Sequence, residues 1–280
     1  MTDPTARLGV RDWFRPTVWV AIVVVLADIA WTTALSLSTG LQYADIAKSA
    51  GNVIRMAVVP LGVGAILLTA FLMFARWDHV WRDPRRLPTT PAMKVAMVVF
   101  VTAIVLRFAG TGWSEIRTDL LLAVLALGVL VGYVEEILFR GIFLRAMRQG
   151  GRSEARAAVW TAVVFGLFHL PNVFLGQGWL GLLQVVVATL TGATLYAFRR
   201  QWAFILPAMI AHGVWDISTF LSGGKTAAWL TVLSLPMLLV PAAAGVAVLV
   251  SVWRRDQAVV AIPVNTPPKA AVDADPMEVA

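Results

Sequence analysis

Long apolar runs separated by short polar segments divide most of the chain. A run of about 17–25 predominantly apolar residues is long enough to cross the hydrocarbon core of a bilayer as a helix. The first run is too long for the core of a signal peptide, so it is counted as a retained span. The runs predict eight transmembrane helices, at residues 16–38, 55–75, 92–109, 118–148, 155–171, 179–198, 202–220 and 227–252. The pattern therefore predicts an all-α, polytopic integral membrane protein.

The basic residues between these runs predict the orientation of the chain. Lys and Arg are enriched in the cytoplasmic loops of membrane proteins. With the N-terminus in the cytoplasm, seventeen of the basic residues outside the spans fall in cytoplasmic segments and four fall outside, at Lys48, Arg55, Arg117 and Lys225. We therefore expect a multi-pass protein of the cell membrane with both termini in the cytoplasm.

Composition agrees with this class and excludes others. The chain is 59% hydrophobic and 14% charged, with a mean hydropathy of +0.78, which is far from a soluble domain. It has no cysteine, which excludes disulfides, thiolate metal ligands and a cysteine nucleophile. The net charge of +7 does not predict nucleic-acid binding, because the basic residues lie in the short loops beside the lipid bilayer.

The organisation along the chain follows from the runs and loops. The predicted parts are a cytoplasmic N-terminal segment (1–15), three N-terminal transmembrane helices (16–110), a core of four helices (118–220), a final transmembrane helix (227–252) and a disordered cytoplasmic tail (253–280).

Halfway along, the predicted span at 118–148 carries three charges, Glu135, Glu136 and Arg140. A charge at the centre of a bilayer costs about 3 kcal/mol on insertion scales, and such residues usually mark function. Later in the chain, two further apolar segments carry one histidine each, His169 and His212. At a rise of about 1.5 Å per residue, the carboxylates and imidazoles all lie roughly 15–20 Å from the cytoplasmic ends of their helices. We expect them to share one site.

Two chemistries fit this set of residues. Two imidazoles and a carboxylate, with Asp216 one turn from His212, can hold a divalent metal such as zinc. Equally, a carboxylate in an apolar pocket can act as general base towards water while histidines stabilise an oxyanion. Glu136 and Arg140 are four residues apart and can form an ion pair, which leaves Glu135 as the reactive group. Both chemistries lead to hydrolysis.

Two more charges lie inside predicted spans, Asp28 and Arg107. They fall at comparable depth, so we expect them to pair and to hold the first predicted helix against the third. The alternative is that Arg107, near the outer end of its helix, extends its side chain to the interface.

Three motifs on three successive apolar helices carry a resemblance to a known family. Glu135-Glu136-Ile-Leu-Phe-Arg140 matches EExxxR, Phe165-Gly-Leu-Phe-His169 matches FxxxH, and His212-Gly-Val-Trp-Asp216 matches HxxxN/D. In this order they resemble the CPBP intramembrane proteases, the family of type II CAAX prenyl endopeptidases and of bacteriocin-processing and immunity proteins.

The resemblance implies a membrane endopeptidase in which Glu135 activates water, supported by Glu136 and Arg140. It also implies that His169 and His212 bind metal or stabilise the oxyanion. Asp216 stands where the eukaryotic-type enzymes have Asn, and an ionised Asp cannot donate a hydrogen bond to an oxyanion. This favours metal binding or histidine orientation for Asp216.

We therefore expect an endopeptidase acting on a membrane-associated protein or peptide, with zinc as a candidate cofactor and metal ligands from Glu135, His169, His212 and Asp216. One alternative is a non-catalytic immunity or scaffold protein. Another is a proton-coupled transporter, which predicts internal repeats that the sequence does not show. The sequence does not determine the substrate, the cleavage site or the oligomeric state.

Overall fold

A computed structural model describes residues 13–84, 86–224 and 226–261, and in these ranges the protein is all-helical. The main helices are α1 (Val18–Ser38), α2 (Ala50–Ala75), α3 (Pro91–Gly110), α4 (Thr118–Gln149), α5 (Glu154–Leu167), α6 (Trp179–Trp202), α7 (Leu206–Leu221) and α8 (Ala228–Ala261). Short helical elements are the 3₁₀ turns Tyr43–Lys48 and Trp113–Glu115 and the π-helical segments Ile54–Val58, Ile137–Phe143 and Val173–Gln177.

Local sequence explains where several helices begin. Thr17, Thr90 and Ser153 precede α1, α3 and α5, and each side chain accepts a hydrogen bond from a backbone N–H of the first turn. Pro91 and Pro207 lie in the first turns of α3 and α7, where a missing N–H removes no helical hydrogen bond.

Each predicted span corresponds to one helix, but six of the eight are long and apolar enough to cross a membrane by themselves. The other two are α5, with 14 residues, and α7, with 16. The predicted spans 155–171 and 202–220 were too long. Helix α5 ends at Leu167, before Pro171, and α7 begins only after a corner at Ala203, whose φ of 52° interrupts the helix.

The C-terminal boundary also differs from the prediction. Helix α8 continues past residue 252 to Ala261, so the first residues assigned to a disordered tail are helical. Residues 1–12 of the predicted N-terminal segment and 262–280 of the predicted tail lie outside the described residues, as do Arg85 and Lys225.

Helix α4 lies at the centre of the bundle. In the 18-residue apolar stretch of α4, 56% of the residues are buried, whereas the corresponding share in α1 is 17%. It crosses α7 at close range through Gly128, Gly132 and Gly213, and a methyl group on Gly132 would overlap the carbonyl of Met209. Small residues spaced four apart allow membrane helices to approach this closely. The crossing brings the charged part of α4 against His212.

The predicted pair between Asp28 and Arg107 is wrong. Among the described residues, no ion pair joins them. Helix α1 packs against α2 and the π-helical part of α4, whereas α3 packs against α6, α7 and α8. Asp28 lies beside Gly64, and Arg107 lies over the ring of Trp215. Similar depth does not make two helices neighbours.

Candidate active site

The site begins where α4 changes from an α-helix to the π-helical segment Ile137–Phe143. Such segments are rare and occur frequently at functional sites. Glu136 and Arg140 lie at this junction with fully buried side chains, and Arg140 Nη1 donates to Glu136 Oε1 at 2.8 Å. Because the two charges are opposite, the pair adds little net charge to the interior of the bundle.

Arg140 is fixed by three further groups. Its Nη2 donates to the carbonyl of Gly192 on α6 at 2.7 Å, and its guanidinium lies 4.2 Å from the ring centroid of Phe165 on α5. Its own carbonyl accepts a hydrogen bond from Arg199, a buried residue of α6. Arg140 therefore connects α4, α5 and α6.

Glu136 also holds a histidine. The Nδ1 atom of His212 lies 2.8 Å from Glu136 Oε1. Since Glu136 is paired with Arg140, its carboxylate accepts this hydrogen bond and Nδ1 carries the hydrogen. The ring of His212 is thereby oriented with Nε2 towards Glu135.

Glu135 faces both imidazoles. Its Oε2 lies 3.8 Å from His212 Nε2 and 3.9 Å from His169 Nε2, and it has no hydrogen-bond partner among the described residues. These distances exceed a direct hydrogen bond, so the contacts are of the kind that a small polar molecule bridges. Three polar atoms from three parts of the chain thus converge on one point.

His169 lies just beyond the end of α5. Its Nδ1 is 3.0 Å from the carbonyl of Phe165. A carbonyl only accepts hydrogen bonds, so Nδ1 carries the hydrogen and Nε2 of the neutral ring is an acceptor. The ring of Phe165 also meets the rings of His169 and His212 edge to face, with centroids 5.1 and 5.5 Å away. Phe165 therefore separates and orients the two histidines.

These groups line a cavity of about 500 Å³. Glu135, His169, His212 and Asp216 are all on its wall. Asp216 is half-buried and makes no ion pair or hydrogen bond with the described residues. The structure thus brings five of the six predicted residues into direct proximity, while Asp216 lies one turn further along α7.

A second groove, of about 740 Å³ and almost wholly apolar, lies between α1 and the chain from Val164 to Leu175. It adjoins the first cavity. Five residues line both, namely Ile29, Thr33, Phe168, Pro171 and Leu175. An apolar group can therefore lie next to the polar site without leaving apolar surroundings.

The carboxylates and imidazoles do not form a set that fits zinc. Among the described residues, no group of three or more His, Asp or Glu side chains is arranged to hold a metal ion. Donor atoms around tetrahedral zinc lie about 3.4 Å apart, because each bond is about 2.0–2.1 Å long. The separations of 3.8 and 3.9 Å from Glu135 Oε2 are longer than this.

Sequence reasoning missed several residues that shape the site. Gly128 and Gly132 form a GxxxG pair, a spacing that is visible in the sequence and indicates close helix packing. The hydropathy pattern places Arg199 in a cytoplasmic loop just after the predicted span 179–198, although in the structure it is 1% exposed. Gly192 had no sequence signal, because it contributes a backbone carbonyl.

Comparisons with known proteins agree with this site. No curated protein and no solved structure matches the chain. One family model, described as "Type II CAAX prenyl endopeptidase Rce1-like", matches residues 117–218. This range contains all three motifs, and the family implies an intramembrane protease. The buried cluster of Glu135, Glu136 and His212 is consistent with an active site. The chain is therefore a multi-pass membrane protein that carries, over residues 117–218, a domain of the Rce1-like type II CAAX prenyl endopeptidase family.

Proposed function

We propose that this protein is an intramembrane endopeptidase in which Glu135 activates the hydrolytic water and no step passes through a metal. One observation carries the proposal. A buried carboxylate oxygen with no partner among the described residues faces two imidazole nitrogens at 3.8 and 3.9 Å on the wall of a cavity. A buried polar atom left without a hydrogen bond is costly, so its presence favours a functional role.

The proposed reaction starts with a water molecule in contact with Glu135 Oε2. His169 Nε2 accepts a hydrogen bond from this water and orients it. Glu135 takes one proton as the water oxygen attacks the carbonyl carbon of the peptide. The new C–O bond gives a tetrahedral oxyanion, and His212 donates to it from Nε2 when that nitrogen is protonated. The C–N bond then breaks, and Glu135 passes its proton to the leaving amine.

Glu136 and Arg140 have a positioning role in this mechanism. Glu136 holds Nδ1 of His212, and Arg140 balances the charge of Glu136 and ties it to α6. Preorganised groups of this kind stabilise developing charge without having to reorient during the reaction. Asp216, one turn from His212, lines the part of the cavity where the substrate would lie.

The proposed substrate is a membrane-associated protein or peptide. The apolar groove beside α1 adjoins the cavity and supports binding of an apolar segment or lipid next to the cleaved bond. We also propose that α5 and α7 lie in the membrane with the six longer helices, as the remaining two of eight segments. Both termini would then be cytoplasmic, as the distribution of basic residues predicts.

The test uses the full chain in proteoliposomes, mixed with detergent-solubilised membrane proteins of its own host cell. New peptide termini are identified by mass spectrometry. We expect termini that appear with the wild type and not with Glu135→Gln. Tyr196→Phe, which alters a residue outside the site, serves as the active control. Identical termini with the wild type and Glu135→Gln would contradict the proposal.

The same experiment separates the two rival functions. A non-catalytic immunity or scaffold protein gives no new termini with any variant. A proton-coupled transporter also gives no new termini. It instead takes up a solute into the vesicles, and Glu135→Gln abolishes this uptake.

A further inference from the structure

A buried cation on the wall of the cavity forms no ion pair with a carboxylate of the described residues. Arg107 of α3 is 7% exposed, and its guanidinium lies 3.9 Å from the ring centroid of Trp215. Its Nη2 reaches the carbonyl of Met237 only at 3.4 Å, and its Nη1 has no partner among the described residues. A buried charge is costly unless it is paired and hydrogen-bonded.

The contrast with the other deeply buried arginines is clear. Arg140 pairs with Glu136 at 2.8 Å, Arg199 with Asp83 at 2.6 Å and Arg200 with Glu154 at 3.9 Å. Within the described ranges, no carboxylate lies within 4.0 Å of Arg107. Arg107 is therefore held by an aromatic face and one weak hydrogen bond, and part of its hydrogen-bonding capacity is unused.

Arg107 lines the same cavity as Glu135, His169 and His212. Trp215, which carries the guanidinium on its face, follows His212 by three residues, or about 4.5 Å along α7. The cation therefore lies about one helical turn beyond the histidine.

We propose that Arg107 binds a carboxylate of the substrate in the same cavity as the cleaved bond. This rests on the proposed peptidase function, because the ligand is the peptide that the enzyme cleaves. A planar guanidinium matches a carboxylate with two parallel hydrogen bonds. A peptide carries carboxylates at its C-terminus and on Asp or Glu side chains. Asp216 shares the cavity and attracts Arg107 electrostatically, but it forms no ion pair or hydrogen bond with it, so Nη1 of the guanidinium keeps its hydrogen-bonding capacity.

The test measures binding to the full-length Glu135→Gln protein in nanodiscs, where cleavage cannot remove the ligand. The probes are three dye-labelled peptides with the same four apolar C-terminal residues. One ends in a free carboxylate and one in an amide. The third ends in an amide but has Glu in place of the last apolar residue. Their Kd values are measured by fluorescence anisotropy.

We expect the free-acid peptide to bind about 10- to 100-fold more tightly than the amide, as charge-assisted pairs do. Adding Arg107→Gln should remove this preference while leaving the Kd of the amide within about twofold, which shows that the site is still folded. Arg107→Lys should keep part of the preference, because it keeps the charge but not the fork of donors. Arg117→Gln is the matched control on an exposed side chain, 81% accessible, and should change nothing.

The third peptide identifies the source of the carboxylate. If it binds like the free acid, a side chain satisfies Arg107, and if it binds like the plain amide, the C-terminus is required. Equal affinity for acid and amide, or a preference that survives Arg107→Gln, overturns the inference. Cleavage by the wild type without such a preference overturns this inference alone, whereas the preference without any cleavage overturns only the peptidase proposal.

Discussion

Two groups of charged and polar side chains, fully or partly buried, lie close together in this protein and differ in how completely they are paired. The first, which we call the active-site cluster after the proposed function, consists of Glu135, Glu136, Arg140, His169 and His212. The second, which we call the loop network, consists of Asp83, Arg148, Glu154, Tyr196 and Arg199. The two are connected, because Arg199 donates to the carbonyl of Arg140.

In the loop network, hydrogen bonds join each carboxylate to several donors. Asp83 accepts from Arg148 at 3.0 Å and from Arg199 at 2.6 Å. Glu154 accepts from Arg148 at 2.5 Å and from Tyr196 at 2.6 Å. No buried side-chain atom of this network lacks a partner among the described residues. This network fixes the loop that precedes α3 against three helices, α4, α5 and α6.

In the active-site cluster, three buried atoms lack partners in the described chain. They are Glu135 Oε2, Glu136 Oε2 and Arg140 Nε. Each group contains both buried and half-buried side chains, so burial does not identify the reactive one. The difference is the unused hydrogen-bonding capacity, which is where we expect chemistry. Substitution of the unpaired Glu135 should therefore affect activity alone, substitution of the paired Glu136 both activity and stability, and substitutions in the loop network stability alone.

The largest effect on activity is expected for Glu135→Gln. The amide has the same shape but cannot take a proton from water, so cleavage should fall by about 10²–10⁴-fold. The thermal midpoint should not fall, because Glu135 Oε2 has no hydrogen bond to lose among the described residues. Cleavage in proteoliposomes and scanning fluorimetry of the same sample measure both. A loss of activity only in parallel with unfolding would remove the contrast between the two groups.

Glu136→Gln should reduce stability and activity together. It leaves the guanidinium of Arg140 buried without its counter-charge, and breaking a buried pair in this way costs about 3–5 kcal/mol. The free energy of unfolding in detergent measures this loss. The double variant Glu136→Leu with Arg140→Met should regain stability but not activity, because His212 still lacks its partner. Wild-type activity in that double variant would exclude the positioning role of Glu136.

Gly132→Ala should have an intermediate effect through the helix crossing. The added methyl group overlaps the carbonyl of Met209 and pushes α4 away from α7, at a cost of about 1–3 kcal/mol. Cleavage should fall because Glu135 and His212 are on opposite sides of this crossing. The matched control is Gly62→Ala, where a methyl group meets nothing within 4 Å. Equal effects of the two substitutions would argue against the close crossing.

The smallest effect is expected for Tyr196→Phe in the loop network. The hydroxyl donates to Glu154 at 2.6 Å and accepts from Arg200 at 2.6 Å. Its removal should cost about 1–3 kcal/mol of stability, as for hydrogen bonds to charged groups. The rate of cleavage per folded molecule should stay at the wild-type value. A large fall in that rate would show that the loop network takes part in the reaction.

The sequence was informative about the site because charge in a membrane is rare. Glu135, His169 and His212 at similar depth on three helices predicted a cluster, and the spacing of Glu136 and Arg140 predicted their pair, which forms. The family expected from the three motifs is confirmed for residues 117–218.

Other features depend on information that hydropathy does not contain. The pairing of Asp28 with Arg107 failed because depth gives no information on which helices are neighbours. The early end of α5 and the corner before α7 depend on local backbone geometry inside apolar sequence. The hydrogen bond from Arg140 to Gly192 uses a backbone carbonyl, which every residue has.

The central claim is that water bound at Glu135 attacks a peptide bond, and the origin of the new carboxylate oxygen tests it most directly. The wild type and Glu135→Gln, each in proteoliposomes, are incubated with membrane proteins of the host cell in water labelled with heavy oxygen. The account predicts heavy oxygen in the new C-terminal carboxylates formed by the wild type, and none with Glu135→Gln. Equal labelling by both proteins, or no labelled C-terminus with the wild type, would contradict it.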